Sequence, residues 1–312
     1  MSELRMKNRN GMPSFSVLAV HSAAECADAA KRLSALTEEK RPDLLVFCGD
    51  TVKAPQSEEE MRTALEKLTA SARDMGIPFL GCFGDRDRAH AAVSEDEQRA
   101  VWQALPGFAA EPLAGTPFGD CVYPVYGEDG NIPALFLWCM DSHGEVNGYE
   151  KEFRSLYKAR LSRPLYTKYY MDGIRFGQTM WYWRLSRELE ERFGRKIPGM
   201  MFFHTPLTEF GDAVLNASVT GMRGTVVDTV SCQTVNGGLF SAAAERHDIC
   251  VIVCGHDGRS AYAARYCGMM LAMTPGLGTR NGDGLLLRFS DGVCSADAVS
   301  ADREDMTLTP VV

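Results

Sequence analysis

The stretch Val251-Ile252-Val253-Cys254-Gly255-His256-Asp257-Gly258 decides the fold, because it joins an apolar run directly to a polar turn. Four apolar residues in a row, three of them β-branched, predict a strand that is covered on both faces. His256 follows this run after a single glycine, so we expect it at the rim of a sheet, where ligands of α/β proteins commonly bind. A histidine at such a position also occurs as a hydrogen-bonded structural residue, and the stretch alone leaves both interpretations open.

The same arrangement occurs at four other places in the chain. Each is an apolar run that ends on a histidine or on a Gly-Asp pair: residues 15–21 (FSVLAVH), 44–50 (LLVFCGD), 79–85 (FLGCFGD) and 200–204 (MMFFH). Each run delivers its polar side chain at the same end of a predicted strand. The five side chains delivered in this way are His21, Asp50, Asp85, His204 and His256.

Helical patterns separate the first three predicted strands. Ser22 and Glu25 have the spacing of a capping box before one helix, and Ser57 and Glu60 have it before the next. The resulting β-α-β-α-β order predicts parallel strands with right-handed crossovers.

The second half of the chain has a different pattern. Residues 121–126 and 134–140 are apolar and flank a Gly-rich turn, which predicts an antiparallel hairpin. Residues 178–193 have a helical pattern that ends at Gly194. We therefore predict an α/β fold with two packed mixed β-sheets flanked by helices.

The predicted organisation is one domain. We expect a flexible lead-in at residues 1–14, a single domain at 15–300 and a polar tail at 301–312. Residues 149–176 are aromatic and basic. They fit either a cap that faces a substrate or a solvated insert, and we slightly favour the insert.

Composition excludes several classes of function. The chain has 312 residues, of which 45% are hydrophobic, and a net charge of −8, which argues against a nucleic-acid-binding surface. No apolar run approaches the roughly 20 residues that a membrane span needs. The ten cysteines include no CxxC pair, and several lie in apolar runs, so we expect reduced thiols in a cytoplasmic protein. The oligomeric state is not legible from the sequence.

Two imidazoles and two carboxylates at neighbouring strand ends would suit Mn, Fe or Zn. At this point the motifs resemble those of the calcineurin-like metallophosphoesterases, whose pattern is D-x-H, G-D, G-N-H-[DE], a lone His and G-H-x-H. In this chain the corresponding segments are Ala19-Val20-His21, Gly49-Asp50, Gly84-Asp85-Arg86-Asp87, His204 and Gly255-His256-Asp257-Gly258. The likeness extends from Ser16 to Gly284. Four segments carry a narrower likeness: Asp141-Ser142-His143-Gly144, Phe202-Phe203-His204-Thr205-Pro206-Leu207, Gly237-Gly238-Leu239-Phe240 and Cys254-Gly255-His256-Asp257. In these segments the chain is similar to the branch of that family related to purple acid phosphatases.

The resemblance implies that one of the family's two metal sites is lost. The family's first site would need ligands at Ala19 and Gly258, which cannot coordinate a metal. The second site keeps a ligand-capable group at each position: Asp50, Asp85, His204 and His256. We therefore expect one divalent or trivalent metal, Mn, Fe or Zn, rather than two.

The resemblance also names Arg86 and His21 as candidate catalytic residues. Arg86 replaces the family's leaving-group histidine, and its charge could contact phosphate oxygens in place of the missing cation. A salt bridge from Arg86 to Asp85 or Asp87 is the alternative. His21 has lost its partner ligands and could simply hydrogen-bond a phosphate or a carboxylate.

Two functions follow from this resemblance. The first is a metal-dependent hydrolase of phosphate mono- or diesters with one metal site and reduced activity. The alternative is a catalytically inactive pseudo-phosphatase that binds a phosphorylated ligand or partner. A purely structural role is the more remote possibility.

Overall fold

The structure, a computed structural model, describes residues 3–9, 11–109, 111–127, 130–144, 172–227 and 229–310. Two β-sheets contain the strands of these ranges. The strands are β1 (Leu4–Arg5), β2 (Lys7–Arg9), β3 (Met12–Val20), β4 (Leu44–Cys48), β5 (Phe79–Cys82), β6 (Ala114–Gly115), β7 (Cys121–Tyr126), β8 (Pro133–Cys139), β9 (Gly199–Phe203), β10 (Arg223–Thr225), β11 (Ile249–Cys254), β12 (Ala261–Tyr266), β13 (Met269–Met273), β14 (Gly284–Ser290), β15 (Val293–Val299) and β16 (Met306–Thr307). The helices are α1 (Ala29–Lys40), α2 (Glu58–Asp74), α3 (Asp85–Arg88), α4 (Glu95–Gln103), α5 (Phe176–Phe193), α6 (Thr208–Leu215), α7 (Ala217–Thr220) and α8 (Leu239–Arg246).

The first sheet has the order β16-β15-β14-β3-β4-β5, with β2 paired to β3. Strands β3, β4 and β5 are parallel, as the β-α-β-α-β pattern predicts, and α1 and α2 are the crossovers between them. Strand β14 adds to the other side of β3 in the antiparallel direction. The sheet is therefore mixed.

The second sheet has the order β1-β7-β8-β9-β11-β13-β12-β10, with β6 paired to β7. Strands β7 and β8 form the predicted antiparallel hairpin, in which Cys121 lies opposite Cys139. Strands β8, β9, β11 and β13 are parallel to one another.

The core lies between the two sheets. Alternate residues of the second sheet, such as Leu137, Phe202 and Val253, belong to a buried cluster that also contains Val17 and Leu45 of the first sheet. The residues between them in sequence point to the opposite face, where they pack against α5 and α8: Trp138, Met201, Phe203 and Ile252. Because side chains alternate along a strand, each apolar run covers both faces. The predicted fold class, two packed mixed sheets flanked by helices, is confirmed.

The first residues of the chain differ from the expected flexible lead-in. Strand β1 pairs with β7 and β2 pairs with β3, so these residues extend both sheets. Arg9 donates two hydrogen bonds to the carboxylate of Asp43, at 2.7 and 2.8 Å, and that carboxylate is buried. Because Asp43 is distant in sequence, nothing in the local pattern of this polar segment predicts the pairing. Strand β16 lies inside the predicted polar tail and pairs with β15.

Helix α1 begins at Ala29 rather than after the predicted capping box at Ser22. Ser22 has a φ of 54°, and its side chain makes no capping hydrogen bond.

Most of the segment 149–176 lies outside the described residues, which resume at Asp172. Helix α5 ends at Phe193, and Gly194, with a φ of 69°, follows it as the predicted stop. Within the described ranges, no helix is both long and apolar enough to cross a membrane.

Candidate metal centre

The ends of the five strands meet at one edge, where the two sheets adjoin. His204 follows β9 of the second sheet, yet its Nδ1 lies 2.7 Å from the carbonyl oxygen of Cys48 in β4 of the first sheet. The backbone N–H of Gly255 donates to the carbonyl oxygen of His204 at 3.1 Å. These contacts bring the polar residues of both sheets to a common point.

Two glycines permit this close approach. A Cβ atom at Gly49 would lie 2.4 Å from Nδ1 of His204, and one at Gly84 would lie 2.3 Å from Oδ1 of Asp50. Gly49 also has a φ of +89°, a conformation that L residues rarely adopt. The glycine of each Gly-Asp pair is therefore required by packing.

Three of the predicted ligands form a compact group. One donor atom from each of Asp85, His204 and His256 lies within 4.8 Å of the others. Nε2 of His204 is 3.0 Å from Oδ1 of Asp85, and Nε2 of His256 is 4.0 Å from the same oxygen. The group combines one carboxylate with two imidazoles, which is a donor set suited to a transition metal.

Asp50, the fourth predicted ligand, lies beside this group rather than within it. Its Oδ1 is 3.5 Å from Nε2 of His204. The same oxygen accepts a hydrogen bond from the backbone N–H of Arg86 at 3.0 Å, and Oδ2 lies 3.5 Å from Nε of Arg86. The buried Asp50 carboxylate thus faces the three-residue group on one side and a guanidinium on the other.

Asp87 holds the loop that carries Asp50. Its carboxylate accepts four backbone N–H groups at 2.8–2.9 Å, from Gly84, Asp50, Thr51 and Val52. The sequence indicates Asp87 only as a motif position and as a possible partner of Arg86. The structure shows that it orders the backbone at two strand ends.

The electrostatics of the group favour positive charge beside the carboxylates. Burial opposes a charge on His204, but Asp50 and Asp85 outweigh it and raise the pKa of the imidazole to about 9. Burial likewise opposes the charge on Asp85, yet the hydrogen bond from His204 and the nearby imidazoles lower the pKa of that carboxyl to about 2. For Asp50, burial prevails and raises the pKa of the carboxyl.

Arg86 forms no salt bridge with Asp85 or Asp87, the alternative expected from the sequence. Its guanidinium contacts Asp50, and its terminal nitrogen forms an ion pair with Glu25. The spacing of Ser22 and Glu25 predicts a capping box, which gives Glu25 no role at the site. No sequence pattern pointed to this pair, because its partners lie in separate β-α connections.

His21, the other candidate catalytic residue, is fully buried at the end of β3. Its Nδ1 lies 2.9 Å from the hydroxyl of Ser22, and its ring centroid is 6.2 Å from that of His204. Burial, followed by repulsion from His204, lowers the pKa of His21 well below its usual value. His21 therefore lies next to the three-residue group as a neutral imidazole.

There is free space at Gly258, the position of the lost second histidine. A Cβ atom at Gly258 would meet no atom of the described residues within 4 Å.

Asp141 and His143, expected to be structural, lie at the turn after β8, where the backbone N–H of His143 donates to Asp141 at 2.8 Å. Arg88 donates to the same carboxylate at 2.7 Å.

Comparison with solved structures identifies the class of fold. The structure aligns with a dimetal phosphatase from Danio rerio with a TM-score of 0.58 and 11% sequence identity, over 95% of this chain and 99% of that one. The chain has the calcineurin-like metallophosphoesterase fold.

Sequence comparison finds relatives among plant proteins. The chain is 26% identical over 259 residues to "Probable inactive purple acid phosphatase 14" from Arabidopsis thaliana, covering 77% of this chain and 59% of that protein. It is 24% identical over 275 residues to "Probable inactive purple acid phosphatase 29" from the same organism, covering 82% and 65%. The chain thus spans about three fifths of the length of these relatives. No family model matches the sequence. The chain is related to purple-acid-phosphatase-like proteins.

Proposed function

We propose that this protein binds one metal ion and hydrolyses phosphate mono- or diesters at a reduced rate. The observation that carries the proposal is the group of three donors from Asp85, His204 and His256, with the buried carboxylate of Asp50 alongside. The substrate we infer is a small phosphorylated molecule, since Arg86 supplies a positive charge beside this group.

The residues fit a metal of the Mn, Fe or Zn type. Nδ1 of His204 donates to the carbonyl oxygen of Cys48, because a carbonyl oxygen only accepts, so Nε2 keeps a lone pair for a metal when the ring is neutral. The carboxylates of Asp50 and Asp85 supply negative charge, and the mixed nitrogen and oxygen set suits these metals better than Mg or Ca. We infer one metal rather than two because Ala19 and Gly258 offer no ligand atom.

A bound cation and Arg86 would have different roles in the reaction. A bound cation supplies Lewis acidity and an activated water. Arg86 would contact the phosphoryl oxygens and offset their charge. Arginine stays protonated at working pH and is a poor general acid, and the loss of a general acid typically lowers the rate by about 10²–10⁴-fold. Esters with good leaving groups should therefore be the best substrates.

A catalytically inactive protein that binds a phosphorylated ligand is the second candidate. The observation that favours it is the contact of Arg86 with both Glu25 and Asp50, which occupies the guanidinium with carboxylates of the chain itself. The names of the two plant relatives, which describe them as probably inactive, support the same alternative.

Metal analysis and an activity assay test the proposal together. We expect about one equivalent of Mn, Fe or Zn per chain, and we expect His256→Ala to abolish its binding. Hydrolysis of p-nitrophenyl phosphate should depend on added Mn and fall in Asp50→Asn. Turnover that is unaffected by Asp50→Asn would come from a contaminant. One bound metal without turnover would favour the inactive binding protein, and two equivalents or none would contradict the single-metal site.

The cellular location is part of the same proposal. All ten cysteines are free thiols in the structure. Free buried thiols suit a reducing compartment, so we infer a cytoplasmic protein.

A further inference from the structure

We propose that Glu25 is an internal competitor for the anion that Arg86 binds. In this view its carboxylate occupies the outer face of the guanidinium, and an incoming phosphate oxygen must displace it. The inference rests on the proposed function, because it assumes that the site accepts an oxyanion.

The inner end of Arg86 is firmly held. Its backbone N–H donates to Oδ1 of Asp50 at 3.0 Å, and its carbonyl oxygen accepts from the backbone N–H of Ala54 at 2.9 Å. Nε of the side chain lies 3.5 Å from Oδ2 of Asp50. The guanidinium is therefore directed from the buried carboxylate toward the terminal contact with Glu25.

The two carboxylates that flank Arg86 differ in how readily they can leave. The side chain of Asp50 is 4% exposed, whereas that of Glu25 is 45% exposed. A half-exposed carboxylate regains hydration when it moves away, while a buried one would lose its partners without reaching water. An oxyanion can therefore replace Glu25 at small cost but cannot replace Asp50.

The backbone keeps Glu25 close to Arg86. Glu25 ends a short 3-10 turn, Ala23–Glu25, that follows β3. The backbone N–H groups of Ser22 and Ala24 donate to the carbonyl oxygens of Gly49 and Asp50, at 3.2 and 3.3 Å. Because the turn is attached to the loop that carries Asp50, Glu25 remains next to the guanidinium at a high effective concentration.

The charge of Glu25 also acts against an anion. Around a divalent cation at the three-residue group, the carboxylates of Asp50, Asp85 and Glu25 would offset the charges of the cation and Arg86, and the buried carboxylate of Asp87 lies beside Asp50. Replacing Glu25 with glutamine preserves its shape and makes the charge of the site more positive by one. An oxyanion should then bind more tightly, both because a competitor is removed and because the field is more positive.

Calorimetric titration of the Mn-loaded protein with inorganic phosphate tests the inference. We expect Glu25→Gln to lower the Kd for phosphate by about three- to tenfold at low ionic strength. The effect is no larger because water partly screens the half-exposed carboxylate of Glu25. Arg86→Gln should raise the Kd, and adding Glu25→Gln to Arg86→Gln should have a smaller effect than in the wild-type background. Asp291→Asn is the matched control, because Asp291 is exposed in the turn after β14, at the end of the first sheet opposite His21. It removes one negative charge and should leave the Kd unchanged.

The outcomes separate the inference from the proposed function. If wild type binds phosphate and Glu25→Gln binds it equally or more weakly, Glu25 positions Arg86 or does nothing, and only the inference is wrong. If neither protein binds phosphate although both hold their metal, the proposed phosphate-ester function and the inference are both wrong. Binding by Glu25→Gln alone would support the inference and indicate that the contact silences the wild-type site.

Discussion

Nδ1 of His204 lies 2.7 Å from the carbonyl oxygen of Cys48, and this contact joins the two sheets at the candidate metal centre. It fixes the plane of the imidazole and directs Nε2 toward Asp85, 3.0 Å away. A structural backbone group of one sheet therefore orients a candidate ligand of the other.

Gly49→Ala should displace His204. The added methyl group would lie 2.4 Å from Nδ1 of His204, and the positive φ of the residue adds strain. Gly76→Ala is the control, because Gly76 also has a positive φ, +66°, but an added Cβ would contact nothing. We expect Gly49→Ala to lower the free energy of unfolding by about 1–3 kcal/mol more than Gly76→Ala and to weaken Mn binding. Urea denaturation and metal titration measure the two effects, and equal behaviour of the two variants would contradict the prediction.

Asp87→Asn should loosen the loop around Asp50. An amide has one acceptor oxygen, so it cannot accept all four backbone N–H groups that the Asp87 carboxylate accepts. We expect the free energy of unfolding to fall by about 2–3 kcal/mol. Asp96→Asn is the control, since the side chain of Asp96 is 93% exposed, and it should change stability by less than about 0.5 kcal/mol. A loss in Asp87→Asn no larger than in the control would show that the four hydrogen bonds contribute little.

Asp43 should make stability depend on acid pH. Burial opposes its charge, but hydrogen bonds from Arg9 and Lys7 outweigh burial and lower the pKa of the carboxyl. Because the folded-state pKa is depressed, its stabilisation is present above the unfolded value of about 3.9 and is lost as the pH falls through the folded value. The destabilisation caused by Asp43→Asn should therefore be large near neutral pH and shrink below about pH 4. Urea denaturation from neutral to acid pH measures this. Asp74→Asn, at an exposed position, is the control and should destabilise the protein much less than Asp43→Asn near neutral pH. A constant effect of Asp43→Asn across the range would refute the assignment.

Restoring the missing ligands should restore a second metal. The combined change Ala19→Asp, Arg86→His and Gly258→His recreates the pattern of the family that the motifs resemble, except at Asp85, where that pattern has Asn. Gly258 has room for a side chain, and removing Arg86 removes the guanidinium from Asp50. We expect bound metal to rise from about one to about two equivalents per chain, measured by elemental analysis. The single change Gly258→His should stay at one equivalent. A folded triple variant that holds one metal would contradict our account of the lost site.

Much of the fold was predictable because its central strands are apolar on both faces. Strand β4 is buried at each of its five residues, and its sequence has no polar position that could suggest another structure. The first residues were not predictable in the same way, since strands β1 and β2 are short and partly polar. Strand β2 is held by the buried Asp43, which accepts a hydrogen bond from Arg9 and lies 34 residues further along the chain.

The candidate site was predictable to a similar degree. Strand ends and motif spacing indicated which polar residues would meet, because that depends on topology. The position of Asp50 beside the three-residue group and the pairing of Arg86 with Glu25 depend on side-chain packing across loops. At Ser22 the local pattern even pointed to a helix start, whereas its left-handed backbone sends the chain into the turn that carries Glu25.

The division of the candidate ligands between the sheets has a mechanical consequence. Asp50 and Asp85 follow strands of the first sheet, and His204 and His256 follow strands of the second. An ion held by all four would crosslink the two layers at one end, where apolar burial gives way to polar side chains. Its occupancy would then set how easily that end opens, with a stabilisation that grows logarithmically with free metal concentration. Chelation should accordingly speed amide exchange at the tips of β4 and β9 before it affects the middle of either strand.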